Sequence, residues 1–417
     1  MKNFRLSTKL LMGAAIALAT TVSLSSCGDD DDGTPPVTGG NGGGSGAPQK
    51  FIGLDIESNT TWSKDTIYVL TSRIKVKPGA TLTINAGTII KGAEGQQSNA
   101  KVLMVMRGAK IMAEGTASEP IIFTSVLDNI QPGQIASPNL PATLQGQWGG
   151  LAILGNARVS TGVTDPNGGG FDVQQIEGVP STDPDGLYGG TNDADNSGVL
   201  RYVSVRHGGT SIGAGNELNG ISFGGVGSGT VVDHVEVVAN QDDGLEFYGG
   251  TVNATNVVVW NNGDDALDTD MAYNGTIDNF VLIGMEGSAF ELDGPEGTYI
   301  NGNHTITNGT VVTTRPDNTA AGDLINYDVN TNVDLSNIHF TNVSAGQLVN
   351  SEDRVSRTYL TLSNITINVA ASEIPNYVST AEPAILTSVS AGTTGFANTA
   401  EFSGWSWASE AGGLSGL

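Results

Sequence analysis

The chain has 417 residues, of which 18 are basic and 43 acidic, giving a net charge of −25, with 58 glycines and 6% aromatic residues. That charge repels a phosphate backbone and argues against nucleic acid as a partner, while divalent cations and neutral or basic ligands stay open. Abundant Gly, Asn, Thr and Val disfavour helix, and the length suits one elongated repeat domain.

Lys2, Arg5 and Lys9 form a basic start, followed by an apolar stretch from Leu10 to about Leu24. That stretch is shorter than the roughly 20 residues a membrane span needs. It ends in Leu24-Ser25-Ser26-Cys27, which resembles the lipobox read by lipoprotein signal peptidase. The resemblance implies a signal peptide over residues 1–26 and a diacylglycerol-bearing Cys27 anchored in the outer membrane. Processing would leave 15 basic against 43 acidic residues, a net charge of −28. Cys27 is the sole cysteine, so no disulfide can form within one chain. Residues 27–50 read as a tether, with Asp29 to Asp32 followed by a Gly/Pro/Ser-rich run to Pro48. The acidic run resembles the surface-export signal of Bacteroidetes lipoproteins, which implies a protein facing the cell exterior; otherwise it is a solvated linker. No later segment is apolar enough to cross a membrane.

From residue 51 to 417 the chain reads as one repeat domain. Tyr202-Val203-Ser204-Val205, His234-Val235-Glu236-Val237, Asn256-Val257-Val258-Val259, Asn279-Phe280-Val281-Leu282, Asn308-Gly309-Thr310-Val311, Asn337-Ile338-His339-Phe340 and Asn364-Ile365-Thr366-Ile367 align at spacings of 32, 22, 23, 29, 29 and 27 residues. A second column, Ile221, Leu245, Leu267 and Phe290, has spacings of 24, 22 and 23. Such periods, with short alternating strands and no intervening helical pattern, predict an all-β, right-handed parallel β-helix solenoid. Alternation directs Val235, Val237, Val257, Val259, Phe280, Leu282, Ile338, Phe340, Ile365 and Ile367 inward. The recurring asparagines predict a hydrogen-bonded ladder at a corner. The segments Val76–Leu82 and Met106–Ile111 start the solenoid in the same way. Loop insertions fall near 127–147 and 161–198, and the tail with Trp405 and Trp407 is expected to cap the open C-terminal end.

These features resemble the pectin-lyase-like superfamily of right-handed parallel β-helices. More narrowly, WGGLAILGNA (148–157), LRYVSVRHGG (200–209) and NQDDGLEFYGGTVNA (240–254) resemble Bacteroidetes surface lipoproteins over about residues 60–410.

One 22-residue step carries Asn240 to Asn262, Asp242 to Asp264, Asp243 to Asp265 and Glu246 to Asp268; the next adds Glu291. Glu246, Asp268 and Glu291 should point outward in one column, beside Tyr248, Asp270 and Asp293. Neighbouring coils lie about 4.8 Å apart, so these carboxylates repel one another or recruit a cation. Oxygen-rich clusters of this kind suit calcium. Three readings compete: a calcium site, paired carboxylates that hydrolyse glycosidic bonds, and solvated turn residues.

For catalysis the candidates are Asp242, Asp243, Asp264 and Asp265. Gln241-Asp242-Asp243 resembles the QDD motif of polygalacturonases, which implies a Gly-His-Gly and an Arg-Ile-Lys on later coils. The later coils read Ile283-Gly284-Met285-Glu286-Gly287, and Arg73-Ile74-Lys75 lies far upstream. A lyase would need a base beside the acids, and Arg206 and His207 are nearest in coil order. Asp193-Ala194-Asp195-Asn196-Ser197-Gly198 matches the opening of a calcium loop, although Ser204 stands where an EF-hand has Glu. Asp193 and Asp195 are therefore further candidate ligands. Finally, Val238, Trp260, Ile283 and Val312, beside Val258 and Val281, form an outward apolar stripe that must be covered or functional. A covering loop from 127–147 or 161–198 is one reading; a sugar-stacking platform of Trp260 and Tyr248 is the other. The resulting expectation is a non-catalytic surface protein holding an extracellular glycan or surface protein with calcium. The alternatives are a polysaccharide-degrading enzyme on the same fold and a structural accessory of an outer-membrane complex.

Overall fold

The computed structural model describes residues 46–417 apart from 166–168, 180–182, 214–215, 316–319, 329, 351–359 and 379–384. Cys27 and Asp29 to Asp32 lie outside the described residues. Among the described residues the chain winds into a parallel β-helix whose strands stack into two long sheets, of fifteen and nine strands. The one described α-helix is the four-residue Trp407–Glu410.

The register follows the sequence repeats. In the first sheet Val203, Val235, Val257, Phe280, Gly309, Ile338 and Ile365 are successive rung partners. In the second, Leu151, Ile221, Leu245, Leu267 and Phe290 are. Each inward side chain meets its counterpart one coil away, so a single apolar core runs along the lumen from Ile56 to Leu386. Gly309 interrupts the apolar column for a steric reason. A Cβ there would lie 2.1 Å from the Phe280 ring, which takes that space. Ile338 is fully buried in this core. Ile338→Asp is expected to cost about 4 kcal/mol or more, because the charge has no partner in the lumen. Unchanged denaturation of that variant would reverse the inward and outward assignment.

The asparagines mark the bend inside five successive first-sheet strands. Asn256, Asn279, Asn308, Asn337 and Asn364 all have φ between +53 and +60°, a region asparagine tolerates better than most residues. Their amides bond along the axis: Asn279 Nδ2 donates to Asn256 Oδ1 at 2.6 Å, Asn337 to Asn308 at 2.9 Å, and Asn364 to Asn337 at 2.7 Å. Between Asn279 and Asn308 the ladder switches acceptor, and Asn308 donates to Asp278 Oδ1 at 2.7 Å. On the early coils this bend is a full break. Gly198–Arg206 pairs with Lys110–Glu114 through its first half and with Ile121–Ser125 through its second.

Two expectations need correction. The first strand, Gln49–Ile52, starts inside the segment read as tether. It pairs with Ile67–Leu70 through backbone groups, so its polar Gln-Lys start carried no alternation signal. The C-terminal tail does not cap the end of the solenoid. Leu386–Ser388 adds a last rung, and the chain then runs back along the outside of the first sheet. Ala397 N–H bonds Thr310, Asn398 N–H bonds Asn279, Trp405 packs edge-on to His234 and Tyr202, and Trp407 lies against Trp260 and Arg206. The reason is the outward apolar stripe. Val238, Val258, Trp260, Val281, Ile283 and Val312 are buried beneath Phe402, Trp405 and Trp407, with Ala136 and Ala142 of the 127–147 loop at the margin.

Candidate metal centre

The site forms where the chain turns from the first sheet into the second. Ala239 and Asn261 open successive turns at φ +54 and +60°. Asn240 Nδ2 donates to the Asp243 carbonyl at 2.7 Å, and Asn262 Nδ2 to the carbonyls of Asp264 and Asp265 at 2.7 and 2.6 Å. Each asparagine thereby fixes its own turn. Gly263 N–H bonds the Asn240 carbonyl and Gly244 N–H the Asp265 carbonyl, so the turns lie coil upon coil. The acids are forced into columns. Asp265 N–H donates to Asp243 Oδ1 at 2.9 Å, and Ser288 N–H donates to Asp265. Glu246, Asp268 and Glu291 are rung partners, as are Tyr248 and Asp270.

Two groups of carboxylates converge there. Asp242, Asp243 and Asp264 can place oxygens within 4.8 Å of one another, and so can Asp243, Glu246 and Asp268. Asp264 is exposed, Asp242 and Asp268 are half-buried, and Asp243 and Glu246 are buried. Among the described residues none of these five, nor Asp265, pairs with a lysine, arginine or histidine; the ion pairs lie elsewhere. Desolvation first, and the neighbouring carboxylates second, therefore push the group upward. Asp242 rises to about 8, with Asp264, Glu217 and Glu177 acting on it. Asp243, Glu246, Asp265 and Asp268 rise well above the ordinary carboxylate range. Partial burial, then Glu291, Glu217 and Glu286, lift Asp264 to about 6.

The outer candidates fare differently. Asp270 is half-buried and rises to about 8 through burial and Asp293, and its carboxylate accepts the Met271 N–H. Glu291 accepts from Asn326 Nδ2 at 3.1 Å. Asp270, Glu291 and Asp293 continue the columns but join neither converging group. Asp193 is corrected as a ligand: its carboxylate is taken by Arg158. Asp195 accepts from Asn156 Nδ2 and Ser197 Oγ, both at 3.3 Å. The matched loop is held by protein donors, so its resemblance to a calcium loop does not extend to geometry.

The sugar-stacking platform is also corrected. Trp260 is 8% exposed and covered by the tail, while Tyr248 is 1% exposed and packs with Tyr188 and Met271 outside the second sheet. The two rings belong to separate clusters on different sheets. Arg206 and His207 are fully buried. Arg206 bonds Ser204 Oγ at 2.7 Å and faces Glu236 at 3.7 Å. Desolvation lowers His207 to about 4, so it is neutral. Lys75 is spent on Asp183 and Asp185, and Arg73 on the Gly178 carbonyl.

Three contributors escaped the sequence reading. Asn219 stands in the Asp243 column, one coil earlier, with Gly220 N–H on the Asp243 carbonyl. Its signal was present, since Asn219-Gly220-Ile221 aligns with Asp243-Gly244-Leu245. Its Nδ2 donates to Glu246, to Ser222 Oγ at 3.3 Å and to Tyr248 Oη at 3.2 Å. Glu177 and Glu217 come from aperiodic segments, which carry no such signal. Glu177, raised to about 7 mainly by burial, accepts the Glu217 N–H at 3.3 Å.

Residues 54–410 match the family model described as a pectate-lyase-like beta helix domain. No curated protein and no solved structure matches the chain.

Proposed function

The chain belongs to the pectate-lyase-like β-helix family, and on that premise we propose that it is a lipid-anchored, non-catalytic binding protein. In this reading calcium sits on the acidic turn of the second sheet, and the surface around it holds an extracellular glycan or a surface protein. The observation that carries it is the packing of Asp242, Asp243, Glu246, Asp264 and Asp268 without a basic partner among the described residues. A hard divalent cation is the partner such an all-oxygen set suits. The hydrolase and lyase reading has less support. Arg206 and His207 are buried and engaged on other elements, so neither is available to take a proton from a substrate.

Incubation of the purified protein with a panel of polysaccharides, following both retention and the release of reducing ends and unsaturated products, tests this reading. Calcium-dependent retention without turnover is the expected result, and turnover would replace the binding protein with an enzyme. The anchor is tested separately. Cys27→Ala should move the protein out of the membrane fraction, because its lipid is lost. A variant that stays membrane-bound would remove the lipoprotein reading.

A further inference from the structure

We propose that the N-terminal end of the solenoid docks on an anionic lipid surface, so that the body itself, and not a lipid alone, contacts the membrane. This rests on the lipid-anchored reading above and adds which end meets the bilayer and through which residues. Charge is divided sharply along the chain. Residues 46–110 hold nine basic and four acidic residues, a net charge of +5, whereas residues 111–417 hold six and 35, a net charge of −29. Every lysine after Lys9 lies between Lys50 and Lys110. The solenoid winds in chain order, so these residues build its first coils. Lys64, Lys75 and Lys77 are spent on Glu119, Asp183 and Asp185. Lys50 and Lys110 are exposed and, among the described residues, join no ion pair.

An independent observation marks the same end. Leu54 is 83% and Phe51 67% exposed, more than any other large apolar side chain among the described residues. Both belong to the first rung. Gln49–Ile52 is the outermost strand of the first sheet, and among the described residues no strand pairs with its outer edge. Apolar side chains beside lysines suit a lipid interface: the apolar groups enter the headgroup boundary, and the ammonium groups meet phosphate. The proposed anchor at Cys27 precedes Gly46 by 19 positions, and Gln49 then begins this rung. The acidic remainder of the chain does not cancel the attraction. Four strand steps of the second sheet separate Ile74–Val76 from Leu245–Tyr248, which is about 19 Å at about 4.8 Å a step. Salt screens charge over about 8 Å. Docking by the first coils therefore holds the acidic turn clear of the bilayer and of its charge.

The apolar core lies within residues 46–417, so residues 28–417, made without leader or lipid, give a body whose membrane contact is its own. Flotation of this protein with phosphatidylcholine vesicles, with and without about one third phosphatidylglycerol, reads the contact. Binding to the anionic vesicles, lost as salt rises from about 0.1 to about 1 M, is the expected result. Lys50→Glu with Lys110→Glu should weaken it by about fivefold or more for each lysine. Phe51→Ser with Leu54→Ser should weaken it about tenfold. All four side chains are exposed, so circular dichroism should report the wild-type strand signal for both variants. No flotation, while Cys27 still carries the full protein into the membrane fraction, would overturn the docking and leave the anchor standing. Flotation of the body, with a Cys27→Ala protein that stays membrane-bound, would keep the docking and remove the anchor. A body that ignores vesicles and instead pairs with a second copy through Phe51 and Leu54 in sedimentation would overturn the lipid partner. Anionic binding unchanged by either pair of substitutions would place the contact elsewhere and overturn this end.

Discussion

Calcium is expected to raise the stability of this protein and chelator to lower it, by about 2.7 kcal/mol when the free ion stands at a hundred times its dissociation constant. The effect follows from the packing of Asp242, Asp243, Glu246, Asp264 and Asp268 without basic partners. Asp264→Asn combined with Asp268→Asn should remove most of the response and slightly stabilise the calcium-free protein, because like charges are deleted. In calcium-free protein the same burial and repulsion raise the proton affinity of these groups. Their folded-state values are raised, to about 8 for Asp242 and about 6 for Asp264, against about 4 in an unfolded chain. The native state therefore binds more protons than the unfolded state between those limits. This contribution to stability is complete below about pH 4 and is lost as the pH rises towards 8. Melting curves across that range, with and without calcium, check both statements. Curves indifferent to calcium and chelator would leave the acids as a cluster that holds no cation. A calcium-free protein that gained stability with rising pH in the wild type, but not in the double variant, would contradict the electrostatics.

The second large effect concerns the returning tail. Glu236 is fully buried on the outer face of the first sheet. Its carboxylate accepts from Ser204 Oγ at 2.6 Å and from the backbone N–H groups of Trp407 and Ala408 at 3.1 and 2.8 Å. Arg206 faces it at 3.7 Å and lies 5.0 Å from the Trp407 ring centroid. Glu236→Ala leaves the Arg206 charge buried and uncompensated, and should cost about 3–5 kcal/mol. Trp407→Ala should cost a similar amount, about 3–5 kcal/mol, by opening a cavity over Trp260. Removing residues 396–417 should do more, because it bares the stripe from Val238 to Val312. Chemical denaturation and binding of a hydrophobic dye measure these changes. Arg206→Met in the Glu236→Ala background should recover part of the loss. A truncated protein with unchanged stability and no dye binding would show that the tail is merely draped on the sheet.

Both predictions depend on what lies over an outward-facing residue, and that separates the legible from the illegible here. What repeats is legible in the order of residues. Val235, Val257 and Phe280 recur at 22 and 23 residues because one coil consumes that length, so period gives register and alternation gives the lumen. The same logic placed Asp242 over Asp264 and Glu246 over Asp268, and it made the asparagine column visible before its bonds were. What covers the outer faces follows from contacts that the repeat does not encode. Alternation states that Trp260 and Tyr248 leave the lumen; it is silent on whether water or protein meets them. The tail that buries Trp260 and the 161–198 segment that buries Tyr248 are joined to their faces by contacts far apart in sequence, in stretches without a period. For the same reason Glu177 and Glu217 could not be assigned to the acidic turn. Burial by such covers, which no local pattern encodes, is what separates a desolvated column of acids from one on the open surface.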